Sequence, residues 1–187
     1  MIKPKAKEVV VLGQRGNFVA DLKRGKQAEE FILNSFKDKG FEGLFNRAKD
    51  KKNLSKWDIF VMKDDKAFYL EVKNDIMSKK TGNVGFEIGQ GASHKPSCLL
   101  STQSDYWVHI FYTEDNVYVS LCETSRLRQF ILTKHLYNRE DITLRFIQNC
   151  GDNNADLIVI PIQEFIDKFE PKLIVLTNEE AKERGLL

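Results

Sequence analysis

Proline and cysteine are scarce in this 187-residue chain, with 4 and 3 copies, and histidine is as rare as cysteine at 3. Little proline, together with apolar and aromatic residues along the whole length, excludes a disordered chain. Cys98, Cys122 and Cys150 lie too far apart for a CxxC metal site and are odd in number. That argues against a disulfide scaffold and for a reducing compartment, with each thiol packing as a small apolar side chain. His94, His109 and His135 show none of the spacings of a zinc site. An excess of one charge is also missing: the formal net charge is +2, so a nucleic-acid partner is permitted but must be argued from clustering. The N-terminal apolar run Val9–Leu12 is too short for a signal sequence or a membrane span. The expectation is a cytoplasmic protein with no membrane partner. A phosphate-binding glycine loop, a dinucleotide glycine pattern and a Ser/His/Asp arrangement are absent as well.

What is present is material for one core, with 42% apolar residues and 13 Phe. Residues 1–24 are interrupted by Gly13, Gly16 and Asn17 and read as an extended arm with at most one short strand; 25–187 reads as a single domain. From Gly25 a helical period runs through Ala28, Ile32, Leu33 and Phe36, with Gly40 as its stop. A basic loop, Arg47 to Lys56, precedes two strand-like runs, Trp57–Met62 and Ala67–Lys73. A short strand around Phe86–Ile88 follows among glycines, then a strand pair, Trp107–Tyr112 and Val117–Leu121, whose aromatics read as core. Thr124 or Ser125 caps a helix through Leu127, Phe130 and Ile131; Leu157–Ile160 is a strand. Pro161 then opens a helix carrying Ile162, Phe165, Ile166 and Phe169. Strands in the middle and helices at both ends predict an α/β sandwich of sheet and helices.

The most informative segment is WDIFVMKDDKAFYLEVKND, residues 57–75. Alternate strand residues share a face, so Glu71 and Lys73 point one way and Leu70 and Val72 the other. Folding the hairpin about Asp64-Asp65, with either a two- or a four-residue loop, sets Asp58 opposite Glu71. Two carboxylates held that close inside apolar strands repel each other, and a divalent cation is the direct compensation. Lys73, one step along the same face, would reach a water or a phosphate near that ion. This is phosphodiesterase chemistry: Mg²⁺ on one or two carboxylates polarises a phosphate and activates water, with a lysine beside the developing charge. The Glu-x-Lys pattern alone is weak, since it recurs at Glu170/Lys172 and Glu180/Lys182. Only the first lies in a strand with an upstream Asp brought opposite. A solvent-facing edge hairpin would carry polar neighbours on that face, yet it carries Phe60, Met62 and Tyr69.

Helical phase separates Glu29, which shares a side with Ile32, Leu33 and Phe36, from Glu30, which groups with Asn34 and Lys37 and is solvated. Glu29 reads as a partner of the metal site or as a boundary glutamate. Glu87, in the glycine-flanked strand, reads as a further carboxylate or a surface residue. His94, Lys95 and Ser97 form a polar cluster able to touch phosphates. Lys79, Lys80 and the lysines of residues 49–56 could form a DNA-binding rim or simply be solvated.

RGKQAE at 24–29, WD at 57–58 and YLEVKND at 69–75 together resemble the PD-(D/E)XK nuclease superfamily, and within it the phage and archaeal Holliday junction resolvases. The similarity continues through TGNVGFEI (81–88), HKPS (94–97), SDYWVHIF (104–111) and GDNNADLIVIP (151–161). It implies a restriction-endonuclease-like core with a central mixed sheet flanked by helices. It implies Asp58, Glu71 and the Val72 carbonyl as metal ligands for Mg²⁺, with Mn²⁺ substituting. Lys73 would be the catalytic lysine and Glu29 an outer or second-metal carboxylate, and the resemblance favours Glu87 as a further one. The expected activity is metal-dependent hydrolysis of DNA, most specifically of four-way junctions by a homodimer in the host cytoplasm of a phage. A restriction-like or repair nuclease on duplex DNA and a non-catalytic DNA-binding module are the alternatives. Trp57 stands where the eponymous proline would be, and Cys98 where similar phage sequences have glycine.

Overall fold

The computed structural model describes residues 18–47, 56–91, 93–137, 144–150, 154–169 and 174–187. Helix α1 spans Phe18–Lys37, so it takes in residues 18–24, which the sequence had placed in an extended arm. The remainder of that arm, 1–17, lies outside the described residues. Gly40, at φ +80°, ends the helix as expected. The Phe41 N–H donates to Phe36 O at 3.1 Å and the Gly40 N–H to Lys37 O at 2.8 Å. Phe36 and Phe41 close this left-handed cap edge-to-face, with ring centroids 5.2 Å apart.

Six strands form a mixed sheet: β1 (Glu42–Phe45), β2 (Ile59–Lys63), β3 (Lys66–Asp75), β6 (Tyr106–Tyr112), β7 (Asn116–Glu123) and β10 (Ile174–Thr177), in that spatial order. Among the described strands β3–β6 is the parallel pair, with Glu71 level with Trp107 and Lys73 with His109. A second, antiparallel sheet has the order β5 (Lys95–Pro96), β4 (Asn83–Gln90), β9 (Ala155–Pro161), β8 (Arg145–Cys150). Short helix α2 (Ser78–Thr81) joins β3 to β4. Helix α3 (Thr124–Tyr137) follows β7, α4 (Ile162–Phe169) follows β9, and α5 (Asn178–Glu183) follows β10.

Two cores hold these layers together. On one face of the large sheet, Ala28, Phe31, Ile32 and Leu33 of α1 pack on Ile59, Val61, Leu70, Val72, Val108 and Ile110. Gly43 makes that approach possible, because a Cβ there would stand 2.7 Å from Leu33 Cδ1 and 2.8 Å from Phe60 O. On the other face, Trp107 and Phe111 meet Val84 and Phe86 of β4, Ile158 and Ile160 of β9, and Phe165 of α4. The α/β class and the mixed sheet with helices are therefore as expected, whereas the second sheet was not. Of the apolar stripe of α4, Ile162, 8% exposed, and Phe165, fully buried, pack in this second core, with half-buried Ile166 against it. Among the described residues no helix is long and apolar enough to cross a membrane.

Candidate active site

The β2–β3 hairpin builds the site. Asp64 and Asp65 both have positive φ, +50° and +60°. Lys63 pairs directly with Lys66, so the loop is the two-residue form whose twist suits a tight hairpin. The register runs from that turn to Ile59↔Leu70, and one further step sets Asp58 level with Glu71. There the ladder stops. The Asp58 N–H donates to Leu70 O at 2.8 Å, and Asp58 Oδ2 accepts the Val72 N–H at 2.7 Å, so the carboxylate stands in for a strand carbonyl.

Glu71 is 6% exposed, and both its oxygens have partners. Lys73 Nζ lies 2.7 Å from Oε1, and the Thr102 hydroxyl donates to Oε2 at 2.9 Å. Burial, and then the Glu71 charge, push the Asp58 carboxyl up to about 7, against the pull of Lys73 and the Val72 N–H. Lys73 is held well above its ordinary value: burial opposes its charge, but Cys98, Glu71 and Asp58 outweigh it. Burial likewise raises Glu29, with Glu71 adding to it and Lys73 opposing. Glu29 thus lies within electrostatic reach of Lys73 and Glu71, while Glu30 faces solvent, as the helical phase required.

Cys98 departs from its expected role as a buried apolar filler. It is half-buried and opens the 3-10 turn Cys98–Leu100 at φ +47°, a conformation that favours glycine. Burial pushes its thiol up to about 12, while the Lys73 charge pulls the other way. Glu87 reaches this group indirectly: its Oε1 accepts the Ser97 hydroxyl at 2.5 Å, and its charge acts on Cys98. Exposed Lys95 flanks it in β5. The loop is clamped by Arg128 of α3, whose Nε donates to Leu99 O at 2.6 Å and whose Nη2 donates to Thr102 O.

Other candidates fall elsewhere. Lys79 and Lys80 sit beyond the C-terminal end of β3, where the Tyr112 N–H donates to Ser78 Oγ at 2.7 Å. Tyr112 is five residues past Trp107, the partner of Glu71, or roughly 16 Å at ~3.3 Å per residue. Lys79 Nζ instead faces Glu114 at 3.9 Å. The lysines at 49, 51 and 52 lie outside the described residues. His94 Nδ1 is 2.6 Å from Oδ2 of Asp156, a buried carboxylate whose closeness leaves no room for a Cβ at Gly89. Trp107 is 1% exposed and belongs to the core, as expected.

Sequence reasoning missed Thr102, Arg128 and Asp156. Asp156 lies inside the GDNNADLIVIP run, which was the one available signal; Thr102 and Arg128 act from a loop and a helix with no motif of their own.

Among the described residues, no group of three or more His, Cys, Asp or Glu side chains cages a metal unaided. Mg²⁺ does not demand one, because it retains waters and takes substrate oxygens beside one or two carboxylates. Asp58, Glu71 and the Val72 carbonyl fit that donor set, and burial together with the Glu71 charge raises the Asp58 carboxyl, a cost that a cation would relieve. Comparisons with protein-family models, curated proteins and solved structures found no match.

Proposed function

We propose that this chain is a divalent-metal-dependent DNA endonuclease of the PD-(D/E)XK type, with Asp58 and Glu71 as metal carboxylates and Lys73 as the catalytic cation. The observation that carries the reading is the grouping of a raised Asp58 carboxyl, a nearly buried Glu71 and a Lys73 held 2.7 Å from Glu71 on one hairpin. Bound Mg²⁺ would polarise the scissile phosphate and lower the pKa of its water. Asp58, tied to the Val72 N–H, and Glu71, tied to Thr102 and Lys73, are oriented before any ligand arrives. Lys73, held beside Glu71 Oε1, is placed to orient the attacking water and to stabilise the negative charge of the transition state.

Within that class, a four-way junction cut by a twofold homodimer is the substrate we favour. The support is the sequence resemblance and the need for two sites on opposed strands. The test incubates labelled four-way junction, flap and linear duplex with the protein and either Mg²⁺ or EDTA. The expected result is Mg²⁺-dependent, paired, near-symmetric nicks on the junction and slower cutting of duplex. Equal cutting of all three by a monomer would remove the junction assignment, and no cutting of any would remove the nuclease.

A further inference from the structure

The second sheet covers the face of the large sheet at β6 and β7, and its core includes no residue of β1 or β2. Beyond Asp58 and Glu71 that face is left open among the described residues, and it is aromatic. Tyr69, two residues before Glu71 on the same side of β3, is 38% exposed, with Met62 39% and Leu44 54% exposed beside it. The Tyr69 ring lies 5.0 Å from that of Trp57 and 5.4 Å from that of Phe60, centroid to centroid. Leaving Trp57 and Phe60 half-buried and Tyr69 exposed forgoes hydrophobic stabilisation that a covered sheet would gain, so the face calls for an occupant. Trp57 also lines a cleft of about 500 Å³ at the β1 edge of the sheet with Leu33, Lys37, Gly43, Leu44, Phe45 and Arg47, which sets two cations beside its ring.

We propose that Trp57, Phe60 and Tyr69 are a stacking platform for unpaired nucleobases of the substrate strand, with Lys37 and Arg47 meeting its phosphates. The assignment rests on the nuclease reading and deepens it, because the platform adjoins the carboxylates in register. Tyr69 is about 7 Å from Glu71 along β3 at ~3.3 Å per residue. Flat rings accept any base, whereas cations alone would hold the backbone without regard to bases. A site built this way selects DNA whose bases are already unstacked near the cut, as at a branch point or a single-stranded segment.

The test is binding in EDTA, which needs no turnover. Trp107 is 1% exposed, so quenching of tryptophan fluorescence by a bound base reports Trp57. Oligothymidylate and an abasic oligodeoxynucleotide of equal length are titrated against wild type, Tyr69→Phe and Tyr69→Leu. The leucine variant keeps apolar bulk and removes the ring, and thermal melts establish that each variant is folded. The expected result is quenching by oligothymidylate and binding of the abasic strand weaker by roughly tenfold, the scale of lost base–ring stacking. Tyr69→Leu, which leaves Trp57 and Phe60, should narrow the difference between the two strands, and Tyr69→Phe should behave as wild type. Equal affinity of wild type for the two strands would overturn the platform. So would concentration-dependent self-association that Met62→Asp abolishes, since the face would then belong to a second copy. If wild type cleaves DNA with Mg²⁺ yet fails this test, the platform alone falls; if it binds no DNA and cleaves none, both readings fall.

Discussion

Asp58 Oδ2 accepts the Val72 N–H at 2.7 Å, which fastens one acid of the proposed metal site to the backbone of the strand that carries the other. A carboxylate fixed in that place cannot swing away from Glu71, and burial together with the Glu71 charge raises its pKa to about 7 although the Val72 N–H favours the ionised form.

Metal-free stability should therefore depend on pH through Asp58. The ordinary carboxylate value is 3.8, and the folded value is about 7. Between them the folded protein keeps a proton that the unfolded chain has released, so stability falls as pH rises through that window and the full cost of the charge is felt above it. In EDTA, Asp58→Asn, which still accepts the Val72 N–H, should flatten that fall and melt higher than wild type at about pH 8. With metal the order reverses. Asp58→Asn and Glu71→Gln should lose most Mn²⁺ affinity by calorimetry, and wild-type affinity should rise with pH through about 7 because the carboxyl must ionise to bind. Unchanged Mn²⁺ binding in both variants would place the metal elsewhere.

Lys73→Ala should reduce single-turnover cleavage by on the order of 10²–10³-fold and leave DNA affinity in Ca²⁺ nearly unchanged, since a charge used in the transition state contributes little to docking. Parallel losses of rate and affinity would make Lys73 a phosphate anchor.

Glu29→Gln should slow cleavage several-fold, and Glu30→Gln should leave it as in wild type. The two are about 100° apart on the helix, and only Glu29 lies within electrostatic reach of Lys73 and Glu71. The reverse ranking would detach α1 from the site.

Cys98→Gly should stabilise the protein by about 1 kcal/mol, because φ +47° strains a side-chain-bearing residue and not glycine. Cys98→Val should destabilise it, a β-branched residue being the worst tenant of that conformation. A melting temperature lowered by glycine would mean that the contact with Lys73 outweighs the strain.

The parts of the site that were legible in the sequence are those written locally. The hairpin register follows from the turn position and the two-residue period, so Asp58, Glu71 and Lys73 could be placed from residues 57–75 alone. Helical phase likewise separated Glu29 from Glu30. What stayed hidden depends on distant chain. Strand β4 is glycine-rich and its register shifts between Glu87 and Gly89, so its pairing with β9 and the whole second sheet gave no clean alternation. Strand β1, four residues at the sheet edge, and β8, whose Phe146 and Ile147 are 40% and 38% exposed, lack a buried period to read. The role of Cys98 could not be read because it is set by the conformation of a loop and by Lys73, 25 residues earlier.

Thr102 is the least visible of these and yields the sharpest test. Its hydroxyl lies 2.8 Å from Lys56 O and 2.9 Å from Glu71 Oε2, yet it carries one proton and can donate to only one of them at a time. At 3% exposure, no bulk water replaces the bond that is lost. Donation to Glu71 fixes the carboxylate beside Lys73; a cation taking up that oxygen's charge would leave the hydroxyl free to turn to Lys56 O, on the segment that leads into Asp58. Arg128 holds the Thr102 carbonyl, so the threonine backbone stays in place while its hydroxyl chooses. Thr102→Val preserves shape and removes the proton. It should cost about 1–3 kcal/mol of stability and weaken Mn²⁺ binding by roughly 10–100-fold. Thr102→Ser, which restores the hydroxyl and loses only a methyl, should recover the affinity while remaining slightly less stable than wild type. If valine lowers stability but binds Mn²⁺ as wild type does, Thr102 supports the loop alone, and Glu71 is oriented by Lys73 without it.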